Sequence, residues 1–118
     1  MLPSGVSIYL ALAPVDLRKG FELLAGLVHE HLRGDARSGD LFVFLNRPRT
    51  RLKCLFFDKT GYCVLYKRLD RGTFHVPVVT EPIGSRVEVD AAQLELMLEG
   101  LELPEDRRPA KKRPPRIH

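Results

Sequence analysis

The chain has 118 residues, of which 44% are hydrophobic and 29% charged, with a net charge of +4. This length and balance fit one globular domain and exclude disorder along most of the chain. No apolar stretch approaches the roughly 20 residues of a membrane-spanning helix, two cysteines are too few for a disulfide framework, and the apolar segment over residues 6–15 lacks the preceding positive charge of a secretory signal. We therefore predict a cytoplasmic protein with no membrane partner.

A strand followed by an amphipathic helix opens the chain. Apolar residues alternate with period two over residues 6–12, which predicts a strand that Pro14 ends. Asp16 is then placed to cap a helix. The predicted buried stripe of this helix consists of Leu17, Phe21, Leu24, Leu27, Val28 and His31. Arg18 and Lys19 fall outside the stripe, so we expect them at the exposed start of the helix, where cations are mildly unfavourable unless they contact an anion.

Three strand-like runs follow in quick succession: Leu41–Leu45, Leu52–Phe57 and Tyr62–Leu69. The turns between them are too short for a crossover, so they predict an antiparallel meander. Thr73–Val79 is a candidate for a further, edge strand, because Pro77 within it lacks a hydrogen-bond donor.

The turn at residues 58–61 leaves two hairpin registers open. A two-residue turn would pair Phe57 with Tyr62. One face of the hairpin would then hold Arg51, Lys53, Phe57, Tyr62, Tyr66 and Arg68. A three-residue loop with Gly61 in a left-handed bulge would shift the pairing by one residue and send Tyr66 and Arg68 to the other face. The sequence Asp-Lys-Thr-Gly favours this second register.

A short helix and a basic tail complete the chain. Asp90 with Gln93 resembles a capping box, and Gly100 stands where the helix would end. Residues 104–118 contain six Lys/Arg against two Asp/Glu, which accounts for the whole net charge. We therefore predict an α+β domain over residues 1–103, with a first strand and helix, an antiparallel meander and a short final helix, followed by a disordered, basic, Pro-rich tail over residues 104–118.

Basic and aromatic residues crowd onto the predicted meander, a combination typical of nucleic-acid binding because cations neutralise phosphates and aromatic faces can stack on bases. The candidate nucleic-acid-binding residues are Arg18, Lys19, Arg47, Arg49, Arg51, Lys53, Lys67, Arg68 and Arg71, together with Arg107, Arg108, Lys111, Lys112, Arg113 and Arg116 of the tail. The aromatic residues are Phe56, Phe57, Tyr62, Tyr66 and Phe74. Packing in a core is the more common role of such aromatic residues. Arg47, Arg49 and Arg51 are expected to form an exposed tip.

The sequence offers no catalytic or metal centre. Its cysteines and the histidines that could join them have no recognised ligand spacing, so Cys54 and Cys63 are interpreted as small buried residues on neighbouring strands. A nucleophile motif and a phosphate-binding loop are also missing. We predict a protein that is not an enzyme and has no cofactor, metal or small-molecule substrate.

Several segments resemble one known family in the same order and spacing. They are MLPSGVSIYLA (residues 1–11), PVDLRKGF (14–21), LFVF (41–44), RLK (51–53) and YKRLDRGTF (66–74). With them the chain resembles the TnpB-type accessory proteins of insertion sequence family sixty-six over most of residues 1 to 100. The resemblance implies a bacterial transposable element, and a transposase and a second accessory protein of the same element as partners.

The leading hypothesis is a non-enzymatic accessory protein that supports DNA transposition by contacting DNA or RNA, the transposase, or both. The alternative is a pure protein-interaction module that docks on the transposase without binding nucleic acid. A salt-dependent affinity for DNA would distinguish the two.

Overall fold

The computed structural model describes residues 5–77 and 84–100. Its elements in chain order are β1 (Ile8–Ala11), α1 (Phe21–Glu30), β2 (Leu41–Leu45), β3 (Arg51–Asp58), β4 (Gly61–Arg68), β5 (Arg86–Val89) and α2 (Ala91–Glu99). The predicted α+β class is confirmed. None of the described helices has the length and apolarity needed to cross a bilayer. The predicted tail over residues 104–118 lies outside the described residues.

The strands form one five-stranded mixed sheet in the order β4-β3-β2-β1-β5. β2, β3 and β4 are the antiparallel meander that the sequence predicts. β1 lies parallel to β2, joined to it through α1, and β5 pairs antiparallel with the other side of β1. The edge strand expected over Thr73–Val79 is wrong for its described part, because residues 73–77 form no strand. The edge strands of the described sheet are β4 and β5, and β5 is only four residues long.

Both faces of the sheet are covered, each by one helix, so β2 is buried at all five positions. Leu24 of α1 and Phe42 of β2 belong to the buried cluster on one face. Met97 of α2 and Val43 of β2 belong to the cluster on the other face. Full burial of such a side chain stabilises the fold by roughly 1.5–3 kcal/mol.

The first helix begins later than the sequence predicts. α1 starts at Phe21, after an extended Gly20 that makes no side-chain cap. Asp16 does not cap the helix, because its carboxylate accepts the backbone N–H of Arg18 at 3.0 Å in a separate turn. The predicted stripe is wrong at two of its members, because Phe21 is 48% exposed and His31 is also exposed. Leu17, its first member, is buried as predicted but lies before the helix.

The termini of α2 agree with the predicted signals. The carboxylate of Asp90 accepts the Gln93 N–H at 2.7 Å, and the Gln93 side chain accepts the Asp90 N–H at 2.9 Å. This reciprocal pair is a capping box. Gly100 ends the helix with a φ of 76°, a left-handed conformation in which glycine has no steric cost.

The turn between β3 and β4 contains two residues, because Phe57 pairs with Tyr62 and Asp58 pairs with Gly61. The register with a left-handed Gly61 is therefore wrong, and Lys59 has the positive φ, of 40°. The Asp58 carboxylate accepts the N–H groups of Thr60 and Gly61, both at 3.3 Å. The Thr60 bond is the main cause of a lowered pKa of Asp58. These bonds stabilise the tight turn, which explains why the shorter register is adopted.

The loop after α1 approaches the sheet closely at Gly34. A Cβ atom added to Gly34 would lie 2.9 Å from a ring carbon of Phe42. Phe42 is 1% exposed and its ring stacks on Tyr9 with the centroids 5.7 Å apart. The Phe42 ring therefore has little space into which to move.

We predict that Gly34→Ala lowers the free energy of unfolding by about 1–3 kcal/mol, because the added methyl group overpacks the core. Chemical denaturation measures the change. Gly26→Ala is a matched control, since Gly26 lies within α1 and an added Cβ meets nothing within 4 Å. The control should keep or raise stability by up to about 1 kcal/mol. Equal stabilities of the two variants would contradict the close packing at Gly34.

Candidate nucleic-acid interface

We call residues 46–50, the loop between β2 and β3, the tip loop. The side chain of Asn46 stabilises its conformation through hydrogen bonds. The Asn46 Oδ1 atom accepts the N–H groups of Thr50 at 2.9 Å and Arg51 at 3.0 Å. The Nδ2 atom donates to Thr50 Oγ1 at 3.2 Å. The predicted exposure of Arg47, Arg49 and Arg51 is confirmed. These arginines are thus presented on a loop that is internally hydrogen-bonded.

A second loop lies against the tip loop through backbone hydrogen bonds. Phe74 N–H donates to Arg49 O at 2.7 Å, and Leu69 N–H donates to Thr50 O at 2.9 Å. Arg71, which is exposed, lies in the loop between these two donors. Arg49 has a φ of 58°, a left-handed conformation that costs an arginine about 1 kcal/mol or more relative to glycine.

The segment after β1 completes a groove beside the tip loop. Val15 N–H donates to Leu45 O at 2.9 Å, which fixes this segment next to the end of β2. We call the resulting open cavity of about 390 Å³ the basic groove. It is lined by Pro14, Val15, Asp16, Leu17, Arg18, Asn46, Arg47 and Arg51. Three arginines from two segments that are distant in sequence therefore converge on one groove that contains a single carboxylate.

Asp16 fixes the position of Arg18 in this groove. The Arg18 guanidinium donates to both Asp16 carboxylate oxygens, the shorter contact being 2.8 Å. This side-chain hydrogen bond is the main reason why the pKa of Asp16 lies well below its usual range, and it also raises the pKa of Arg18. The Arg18 side chain remains 88% exposed. An ion pair this exposed contributes little to stability, but it orients the guanidinium.

The face of the β3–β4 hairpin that lies beside α1 also carries positive charge. The register places Arg51 opposite Arg68 and Lys53 opposite Tyr66 on this face. We call these four residues the basic face. Among residues 5–77 and 84–100 the single ion pair is Asp16–Arg18, so Arg51 and Arg68 face each other there without a carboxylate partner. Like charges that lie directly opposite on neighbouring strands are destabilising, and a bound anion would relieve this repulsion.

Lys53 links the basic face to the segment before α1. Its ammonium group donates to Lys19 O at 3.1 Å and lies 5.0 Å from the centre of the Tyr66 ring. Lys19 and Lys53 are both half-buried, whereas Arg51 and Arg68 are exposed. The prediction that Lys19 lies exposed at the start of the helix is therefore wrong, since Lys19 also precedes α1. The charges of the two lysines contribute to the positive potential of the site, while their side chains are less accessible than the arginines.

Lys67 is separated from the other candidates. It lies on the opposite face of the hairpin, where its ammonium group donates to Leu98 O near the end of α2. A cation at a helix C-terminus is favourable because the last carbonyls carry partial negative charge. Lys67 therefore stabilises the α2 packing rather than joining the basic face. The six tail candidates lie outside the described residues.

The candidate aromatic residues divide into packed and exposed side chains. Phe74 is 1% exposed, and Tyr62 packs edge-to-face on Phe57 with the centroids 5.2 Å apart. Phe56 is half-buried against the cluster under α2. Tyr66 differs, being 52% exposed. Core packing thus explains the other aromatic residues and leaves Tyr66 open to another use.

Two residues have structural roles that sequence reasoning missed. Asn46 organises the tip loop, for which the sequence predicts only a short turn between two strands. Arg86 of β5 donates to Leu32 O at 3.1 Å, and its guanidinium lies 4.2 Å from the Tyr9 ring centre, so it ties β5 to the end of the α1 region. The alternation of Val87 and Val89 with polar residues was the available signal for β5.

The histidines, acidic residues and two cysteines of the described ranges are the remaining side chains that can bind metals or react. No group of three His, Cys, Asp or Glu side chains among residues 5–77 and 84–100 could hold a metal ion. Cys54 is buried, as expected, and its burial raises the pKa of the thiol to about 12. Cys63 is half-buried, and its pKa is raised mainly by the same cause. Both thiols are thus held in the protonated form, which is a poor nucleophile.

Comparison with known proteins places most of the chain in a single family. The profile described as "IS66 Orf2 like protein" matches residues 6–108. The "Uncharacterized protein y4hO" of Sinorhizobium fredii is 39% identical over 104 residues, covering 86% of this chain and 88% of that protein. The "Uncharacterized protein y4jC" of the same organism is 32% identical over 113 residues, covering 96% and 94% of the two chains. No solved structure gave a significant match.

We predict that Asn46→Ala lowers the free energy of unfolding by about 1–3 kcal/mol, since it leaves polar groups of the tip loop without partners. Chemical denaturation, together with amide exchange at Thr50 and Arg51, tests this. Asn46→Asp is the matched control, because a carboxylate still accepts both backbone N–H groups, and it should lose less stability. If the alanine variant keeps both full stability and slow exchange at these amides, Asn46 does not organise the loop.

Proposed function

Because the chain belongs to the IS66 Orf2-like family of insertion-sequence accessory proteins, we propose that it supports DNA transposition by binding nucleic acid at the basic groove and the basic face. Its partners are DNA, or RNA formed from the element, and the transposase and second accessory protein of the same element. The observation that carries the proposal is the convergence of Arg18, Arg47 and Arg51 on one open groove with one carboxylate.

The geometry of the groove suits a phosphate backbone. Guanidinium groups bind phosphate oxygens through paired N–H donors. Asp16 orients Arg18, and Asn46 fixes the loop that carries Arg47. An ordered loop loses less conformational entropy on binding than a flexible one. The left-handed φ of Arg49 also supports a use for that side chain, since local strain is common at binding sites.

The alternative function is docking on the transposase without nucleic acid. It is favoured by two large apolar side chains of α1, Phe21 at 48% and Leu23 at 58% exposure. Such side chains can contribute to a protein interface. A protein interface of this kind would leave the affinity for DNA small and independent of the groove arginines.

We predict that Arg47→Glu lowers the affinity for DNA several-fold and makes the slope of log affinity against log salt shallower by about 1, because one phosphate contact is lost. Lys59→Glu is the matched control, since both residues are exposed and occupy the turns at opposite ends of β3. Filter binding or fluorescence anisotropy over a salt series measures both variants. Thermal unfolding should be unchanged in each.

Equal effects of the two reversals would mean that only overall charge matters, and would contradict a localised groove. An unsubstituted protein that shows no salt-dependent binding to any nucleic acid, but binds the purified transposase, would favour the docking alternative.

We also predict that the tail adds sequence-independent phosphate contacts. Replacing the six Lys/Arg of residues 104–118 by Gln in the full-length chain should make the salt slope shallower by about 3–5, using roughly 0.9 per duplex contact. The preference between DNA sequences should stay the same, because phosphate contacts do not read bases. Identical salt slopes for the two proteins would show that the tail cations take no part in binding.

A further inference from the structure

Tyr66 is the aromatic side chain of the hairpin that packing leaves unexplained. Its ring is 52% exposed on the face of the sheet beside α1, whereas Tyr62, four residues earlier on the same strand and the same face, packs on Phe57. At this exposure, about half of the apolar surface that the ring could bury remains in contact with water. A ligand that covers the ring would bury that surface.

The surroundings of Tyr66 are cationic. The Lys53 ammonium lies 5.0 Å from the ring centre in a cation–π contact. Its hydrogen bond to Lys19 O holds the ammonium group in this position. Arg51 and Arg68 occupy the next paired position on the same face, about 7 Å along the strands. A half-exposed aromatic ring therefore lies two residues along the strands from two exposed guanidinium groups.

We infer that the basic face binds single-stranded nucleic acid, with the Tyr66 ring stacking on an unpaired base while Arg51 and Arg68 contact the neighbouring phosphates. The inference rests on the proposed function and specifies its ligand. In a duplex the base faces are already stacked on each other, so a flat ring on a sheet surface reaches none of them. In a single strand the base faces are open, and aromatic stacking with adjacent cations is the usual way in which proteins bind such strands.

The chain contains no tryptophan, so a substituted tryptophan reports from one position. Tyr66→Trp in the full-length protein should be quenched by a single-stranded oligothymidylate of about 15 nucleotides and not by a duplex of the same length. Tyr62→Trp is the control on the same strand and face, and its half-buried position should leave the fluorescence unchanged with either ligand.

Affinity measurements give a second readout. Tyr66→Ala should lower the affinity for the single strand roughly tenfold or more, because stacking on one base is lost. Duplex affinity and the salt slope should stay the same, since no charge is removed. Tyr66→Phe should restore single-strand affinity, because the stacking ring is kept. Circular dichroism checks that each variant is folded.

The outcomes separate this inference from the proposed function. If the protein binds both forms equally, Tyr66→Trp shows no quenching and Tyr66→Ala changes neither affinity, the stacking role is overturned while the nucleic-acid function stands. If the unsubstituted protein binds neither form, both proposals are overturned. If Tyr66→Ala weakens only transposase binding, Tyr66 is a protein contact and the inference fails.

Discussion

The register of the β3–β4 hairpin determines which side chains are exposed on the α1 side of the sheet. Pairing of Phe57 with Tyr62 sends every second residue of both strands to the α1 side. A slip of one residue on β4 would exchange its two faces, turning Arg68 toward the core cluster under α2 and exposing its apolar neighbours. Burial of an unpaired guanidinium would be strongly unfavourable. The Asp58 bonds that close the two-residue turn thus help to specify the whole basic face.

The two faces of the hairpin have different roles because the two helices cover different parts of it. α2 covers the opposite face, where Lys67 binds Leu98 O and the adjoining apolar residues are buried. α1 begins only at Phe21, and the preceding turn around Asp16 lies beside the tip loop instead of extending the helix. The end of the sheet near Arg51 is therefore left open, with a groove built from two separate loops.

Local signals in the sequence predicted much of this fold. The strands of the meander follow from alternating apolar residues and short turns, and the α2 termini follow from Asp90, Gln93 and Gly100. The sequence does not give the start of α1, because Asp16 could either cap a helix or accept the Arg18 N–H within a separate turn. The position of this segment in the folded chain selects the second role. The hairpin register was missed because the Asp58 carboxylate can support a turn that the composition alone disfavours. The arginines of the candidate site could be named from the sequence, but their convergence depends on the Val15–Leu45 contact, which joins segments that no local pattern connects.

The central claim is that the groove and the basic face form one surface for nucleic acid. A titration of the isotope-labelled full-length protein with a single-stranded oligonucleotide, followed by amide chemical shifts, tests this claim residue by residue. The account predicts shifts concentrated in residues 16–19, 46–51 and 66–68, with little change in α2 or β5. Shifts concentrated in α2 and around Leu98, with the tip loop unaffected, would contradict it.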